Sequence, residues 1–308
     1  MTFALIFPGQ GSQSVGMLKA YEGVAEIRDV FAEASDVLDQ DLWKMVAEGP
    51  AESLNQTTNT QPVMLTAGYA VFRAWQNAGG KTPTFFAGHS LGEYTALVAA
   101  GVLTFKDALP LVRFRAQAMQ ASVKEGEGGM AAILGLEEGP VVEACLEAAQ
   151  GQVLEAVNLN SPGQIVIAGH REAVLRGCEV AKAKGAKRAV MLPVSVPSHC
   201  ALMKPAADKL RDYLGSVQLK TALIPVIQNA DVSAHTDPLV VKEALVRQLY
   251  SPVRWIETIR HFALHGITAV IECGPGKILG PLTKRIAGNL QSMTLHDATS
   301  LRETAAQL

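Results

Sequence analysis

The chain has 308 residues, 48% of them apolar and 18% charged. That is enough apolar material to bury the core of one large α/β domain with a smaller one inserted, and too much for long disorder. A net charge of −2, from 27 basic and 29 acidic residues, gives no support for nucleic-acid binding or for an anionic membrane surface. No apolar run reaches the roughly 18 residues of a membrane-crossing helix, and Met1–Pro8 lacks the basic segment of a signal peptide.

The first element expected is a buried strand over Phe3–Phe7, followed by the loop Pro8-Gly9-Gln10-Gly11-Ser12-Gln13. Phosphate-binding loops occupy this position in dinucleotide-binding folds. The G-x-G-x-x-G fingerprint fails here, because its third glycine would fall on Ser14, and no Gly-Lys-Ser/Thr follows for a Walker loop. The loop still lies where open α/β sheets place ligands, beyond the carboxyl ends of their strands. Helical patterns then cover about 22–38, 41–48, 51–55 and 61–77.

Thr84–Ala87 is a short β-prone run after Pro83, and Leu91–Ala100 is rich in strong helix formers and ends at Gly101. Between them stands Gly88-His89-Ser90-Leu91-Gly92. A serine on such a strand–turn–helix elbow is held with its Oγ exposed near a helix N-terminus, and the flanking glycines let strand and helix approach closely. The bare motif is weak; its context makes Ser90 a candidate nucleophile, against the alternative of a helix cap.

The next helix, Lys106–Ser122, carries Arg115 on a face with Ala108, Val112 and Met119, whereas Arg113 falls almost opposite. A guanidinium on an apolar stripe needs a partner, either a protein carboxylate or an anionic ligand. Position alone leaves both open, with the structural ion pair the simpler.

Lys124-Glu125-Gly126-Glu127-Gly128-Gly129 then reads as a domain boundary. Beyond it the pattern is strand Met130–Leu136, helix Val141–Ala149, strands Val153–Asn158 and Gln164–Ala168, helix Glu172–Lys184 and strand Arg188–Val194. This β-α-β-β-α-β order is that of a ferredoxin-like unit. The large domain resumes near Ser195 with a helix at Cys200–Leu214, a strand near Ile224–Gln228 and helices at about 238–249 and 252–265. Strand Ala269–Glu272 leads into Gly274-Pro275-Gly276, Leu279–Leu290 is read as the last helix, and the tail after Met293 as peripheral. The fold class is therefore α/β: a large α/β-hydrolase-like domain, residues 1–124 and 196–308, with a central, mostly parallel sheet, and an inserted ferredoxin-like domain over 125–195.

A serine needs a base within hydrogen-bond reach. Of the seven histidines, His89 adjoins Ser90 and its side chain should diverge from it. His170 sits at a hairpin-to-helix junction, and His235, His261, His265 and His296 have polar or amphipathic surroundings. His199 follows the apolar run Val190–Val196 and the Pro197 turn, which places it on the same rim as Ser90, as either the base or a structural histidine. The four cysteines, Cys145, Cys178, Cys200 and Cys273, show no metal-ligand spacing and read as free thiols of a reducing cytosol.

With the loop at Phe7–Gln13, Gly88-His89-Ser90-Leu91-Gly92-Glu93-Tyr94, Val196-Pro197-Ser198-His199 and Gly274-Pro275-Gly276 assembled, nearly the whole chain resembles the bacterial malonyl-CoA:acyl carrier protein transacylases. That fold also serves as the acyltransferase domain of fatty acid and polyketide synthases. The resemblance implies Ser90 as the acylated nucleophile, His199 as its base, and Arg115 as the clamp on the free malonyl carboxylate. It further implies backbone N–H groups of Gln10 and Leu91 as the oxyanion hole, and a carbonyl at Gln248 orienting His199 in place of an acidic residue. The activity implied is cytoplasmic malonyl transfer from malonyl-CoA to acyl carrier protein for fatty acid synthesis, with no cofactor or metal and no nucleic-acid or membrane partner. A serine esterase or thioesterase using the same pair is the nearest rival. Ser198, a small residue, leaves room beside the base, which admits methylmalonyl-CoA as a poor substrate. Lys182, Lys184, Lys187 and Arg188 form a candidate basic patch for the acidic carrier protein.

Overall fold

Five consecutive apolar residues, Phe3–Phe7, form β1, and all five are buried, as befits a parallel strand covered on both faces. The computed structural model describes residues 1–194 and 196–308; Ser195, where the large domain was expected to resume, lies outside the described residues. After β1 come α1 (Ala25–Leu38), α2 (Leu42–Glu48), α3 (Ala51–Leu54), α4 (Thr57–Asn77), β2 (Phe85–Gly88), α5 (Gly92–Ala99) and α6 (Phe105–Gln120). A second group follows: β3 (Gly128–Leu134), α7 (Glu138–Ala149), β4 (Leu154–Ser161), β5 (Gln164–His170), α8 (Arg171–Ala183) and β6 (Arg188–Met191). The rest is α9 (Lys204–Gly215), β7 (Val226–Ile227), α10 (Pro238–Gln248), α11 (Trp255–Leu264), β8 (Ala269–Cys273), α12 (Leu279–Ile286), β9 (Gln291–Leu295) and α13 (Ala298–Gln307).

The central sheet has the order β7-β2-β1-β8-β9 and is parallel throughout. Phe7 of β1 lies opposite Gly88 of β2, so the loops after the two strands leave the sheet side by side. A Cβ on Gly88 would sit 1.9 Å from the Gly92 carbonyl carbon, and one on Gly92 would sit 2.1 Å from the Phe7 carbonyl oxygen. The glycines of the elbow are therefore required by strand–helix contact. A second sheet, order β4-β5-β3-β6, is antiparallel, and its core of Ala131, Ile133, Val141, Leu154, Ile167 and Val174 is separate from that of the central sheet. Together they make a mixed α/β fold. Among the described residues no helix is long and apolar enough to cross a membrane.

Several elements depart from expectation. The tail after Met293 is not peripheral: β9 adds a fifth strand to the central sheet, Leu295 is fully buried, and Leu301 of α13 packs into the main core. The helix read over Leu279–Leu290 ends at Ile286, where the chain turns into β9. Strand β6 ends at Met191, before Pro193, so His199 is reached through a loop. The helix expected from Cys200 begins at Lys204, with Pro205 in its first turn. In the basic patch, Lys182 pairs with Glu179, and Lys184 with Glu143 and Glu147, so half of its charge is already answered.

Candidate active site

Ser90 sits just past β2 with φ of 51°, a left-handed conformation that an L-residue adopts only under constraint. The constraint is visible. Its N–H donates to Asn229 Oδ1 at 2.7 Å, and its carbonyl accepts from Gln248 Nε2 at 2.9 Å. Asn229 follows β7, the strand beside β2, and its Nδ2 also donates to the Gly88 carbonyl at 2.7 Å.

His199 comes from the loop before α9, and its own N–H is held by the Leu249 carbonyl at 2.9 Å. Ser90 Oγ lies 2.7 Å from His199 Nε2, and His199 Nδ1 lies 2.7 Å from the Gln248 carbonyl oxygen. A carbonyl can only accept, so Nδ1 carries the proton and Nε2 is left to accept from the serine hydroxyl. Burial, then the Arg115 guanidinium, push the His199 pKa down to about 3. The imidazole is neutral near pH 7, the form in which a base accepts a proton.

Arg115 is 1% exposed. Its Nη1 donates to Gln61 Oε1 at 2.8 Å, and its Nη2 donates to Gln248 Oε1 at 3.0 Å and reaches Ser90 Oγ at 3.4 Å. Its Cζ lies 5.3 Å from the centre of the Tyr94 ring. Among the described residues no carboxylate forms an ion pair with it, and its buried Nε has no partner. Burial lowers its pKa, as expected of a charge held mainly by neutral amides. The structural ion pair that the sequence left open is not formed.

A cleft of about 510 Å³ opens over these groups, lined by Gln10, Gln61, Ser90, Leu91, Arg115, Ser198 and His199. Gln10 follows β1 and Leu91 opens α5, and among the described residues neither backbone N–H donates to a protein acceptor. The remaining histidines lie elsewhere or do other work. His89 Nε2 meets Asn160 Oδ1 at 2.8 Å, His170 Nδ1 accepts from the Val153 N–H at 3.0 Å, and His235 meets Asp231 at 2.9 Å. His261 and His265 stack on each other, and His296 pairs with Asp297. Cys200, next to the base, is no rival nucleophile, because burial pushes its thiol up to about 12.

Four participants were assigned no role from the sequence: Gln61, Asn229, Glu93 (quoted only as part of the elbow motif) and the side chain of Gln248. Each is a polar residue with under 2% exposure within an otherwise buried stretch, and burial of an unremarkable Gln or Asn has no one-dimensional signature.

At the rim of a parallel sheet the fold brings together a serine on a strained elbow, a buried neutral histidine and, among the described residues, backbone donors without a protein acceptor. The chain belongs to the acyl transferase family, whose domain model matches residues 4–287. It is 53% identical over 300 residues, 97% of each chain, to the malonyl CoA-acyl carrier protein transacylase of Escherichia coli (strain K12). The crystal structure of acyl-carrier-protein S-malonyltransferase from Burkholderia pseudomallei 1710b superposes with a TM-score of 0.98 at 59% identity, covering 99% of this chain and 100% of that one. A malonyl-transacylase solved in complex with a type II PKS acyl-carrier protein superposes at 0.99 with 50% identity, over 100% of both chains.

Proposed function

We propose that this protein transfers the malonyl group of malonyl-CoA to the phosphopantetheine thiol of acyl carrier protein through a malonyl ester on Ser90, supplying extender units for fatty acid synthesis. The observation that carries the reading is Arg115, a buried guanidinium beside the serine that is held by amides and left without a carboxylate. A malonyl thioester presents its scissile carbonyl and a free carboxylate two bonds apart, matching the short step from Ser90 Oγ to Arg115. The relatives are named for this reaction.

In this mechanism Ser90 Oγ attacks the thioester carbonyl as His199 Nε2 takes its proton. The Gln248 carbonyl holds the Nδ1–H of the resulting imidazolium. The oxyanion forms between the backbone N–H groups of Gln10 and Leu91, and donors of this kind are worth about 3 kcal/mol each. Collapse breaks the C–S bond, and coenzyme A leaves as a thiol with the proton from His199. The pantetheine thiol then passes its proton to His199 and attacks the ester, and Ser90 leaves with that proton, which gives ping-pong kinetics. Every step uses side chains and backbone of this chain, with coenzyme A entering as part of the substrate.

The same reading divides the chain into a large α/β-hydrolase-like domain, 1–124 and 196–308, and a ferredoxin-like insert, 125–195. It is supported by the separate cores and by the strand order β4-β5-β3-β6 with α7 and α8 as crossovers. Four buried free cysteines accord with a reducing cytoplasm. Intact-protein mass spectrometry tests the reading. Malonyl-CoA should add one malonyl group, Ser90→Ala should abolish the addition, and an adduct that survives in Ser90→Ala would contradict it.

A further inference from the structure

Behind the catalytic groups lies a carboxylate that the reaction above does not use. Glu93, on the first turn of α5, is fully buried and forms no ion pair among the described residues. Its Oε2 accepts from the Asn229 N–H at 2.8 Å and from Gln248 Nε2 at 3.0 Å, and its Oε1 accepts from Gln228 Nε2 at 3.4 Å. A carboxylate so enclosed is costly unless its acceptors are needed.

We propose that Glu93 is the positioning residue of the nucleophile: through Asn229 and Gln248 it holds the Ser90 peptide in its left-handed conformation and sets which way the Gln248 amide faces. The two residues on Glu93 Oε2 are the two whose side chains grip the Ser90 peptide, Asn229 at the N–H and Gln248 at the carbonyl. The Gln248 amide is also ambiguous by itself. An acceptor at Glu93 fixes its NH2 there, and its carbonyl oxygen is then turned to Arg115. The backbone carbonyl of the same Gln248 orients His199. One carboxylate thus ties together the serine, the base and the guanidinium without touching the reacting atoms.

Two conservative variants separate reach from charge. Glu93→Gln keeps the length and an acceptor for Asn229 and Gln248, and its new NH2 can donate to Gln228 Oε1, which among the described residues is buried without a partner in the wild-type protein. Glu93→Asp keeps the charge but withdraws the carboxylate from both donors. The readouts are the rate of Ser90 labelling by a fluorophosphonate and the single-turnover rate of malonyl-ester formation, both at saturation. This inference rests on Ser90 being the acylated residue; the fluorophosphonate rate reports Ser90 reactivity whether or not malonyl-CoA is the donor, so the two readings can fail separately. We expect Glu93→Asp to slow both rates at least tenfold and Glu93→Gln to stay within fivefold of wild type. Wild-type rates in Glu93→Asp, or a Glu93→Gln protein as slow as Glu93→Asp, would overturn the proposal.

Discussion

Arg115 Nη2 stands 3.4 Å from Ser90 Oγ, and the other groups on that guanidinium are the amide oxygens of Gln61 and Gln248. A buried cation held this way is satisfied in geometry but not in charge. It offers a substrate carboxylate more than it offers a neutral acyl group, whose binding would leave it buried without an anion.

Arg115→Ala should therefore lower kcat/KM for malonyl-CoA by about 10²- to 10³-fold, in line with the 2–5 kcal/mol lost when one partner of a buried charge pair is removed. The rate with acetyl-CoA should rise relative to malonyl-CoA. Steady-state kinetics with both donors check this, and Arg115→Lys should not rescue it, because a lysine cannot hold two amides and a carboxylate in one plane.

The base imposes a pH dependence. With the His199 pKa down to about 3, the acid limb of kcat/KM for malonyl-CoA should fall well below pH 5. Arg115→Ala should move that limb upward, since the guanidinium is the second cause of the depression. His199→Ala should slow acylation by about 10²- to 10⁴-fold. Rate profiles from about pH 3 to 8 follow the limb in both proteins, and acylation rates near pH 7 measure the His199→Ala loss.

Stability carries two opposite contributions. Unfolded His199 takes its proton near 6.5, the ordinary value of a histidine, and the folded residue only at about 3. The unfolded state binds more protons in that window, and stability from this residue falls as pH drops through it. Burial raises Glu93 from 4.5 to about 7, so the folded state binds more protons between those values and stability from Glu93 is lost as pH rises across them. Denaturant melts of Glu93→Gln should show a weaker loss of stability between pH 5 and 7 than the wild-type protein.

The elbow glycine and the C-terminal strand and helix give two structural tests. Gly88→Ala places a methyl 1.9 Å from the backbone of Gly92 and should destabilise the protein by about 3 kcal/mol or yield no soluble product. Leu301→Ala, in the main core, should cost about 2–4 kcal/mol by chemical denaturation, whereas a peripheral tail would show no change.

What the sequence made legible follows from periodicity and local chemistry. β1 and β2 are apolar runs ahead of glycine-rich turns, and α6 exposes its one anomaly, Arg115, on an apolar face. β9 escaped because Gln291-Ser292-Met293-Thr294-Leu295 is short and mostly polar, without a continuous apolar run, and only parallel pairing with β8 makes it a strand. His199 was legible as a rim residue, but the 2.7 Å contact with Ser90 depends on Leu249 and Gln248 from α10 and its C-terminal end, 49 residues away. The amides around Arg115 come from α4 and α10, and no spacing along the chain announces a contact between them.

The central claim is that the malonyl group waits on Ser90 for a thiol and not for water. Incubating the protein with one equivalent of malonyl-CoA, then following intact mass and free malonate before and after adding acyl carrier protein with its pantetheine arm, tests this directly. The account predicts a lasting adduct on Ser90 with little free malonate, discharged onto the carrier protein when it is added. Rapid, stoichiometric release of malonate without the carrier protein would contradict it and mark the site as a thioesterase.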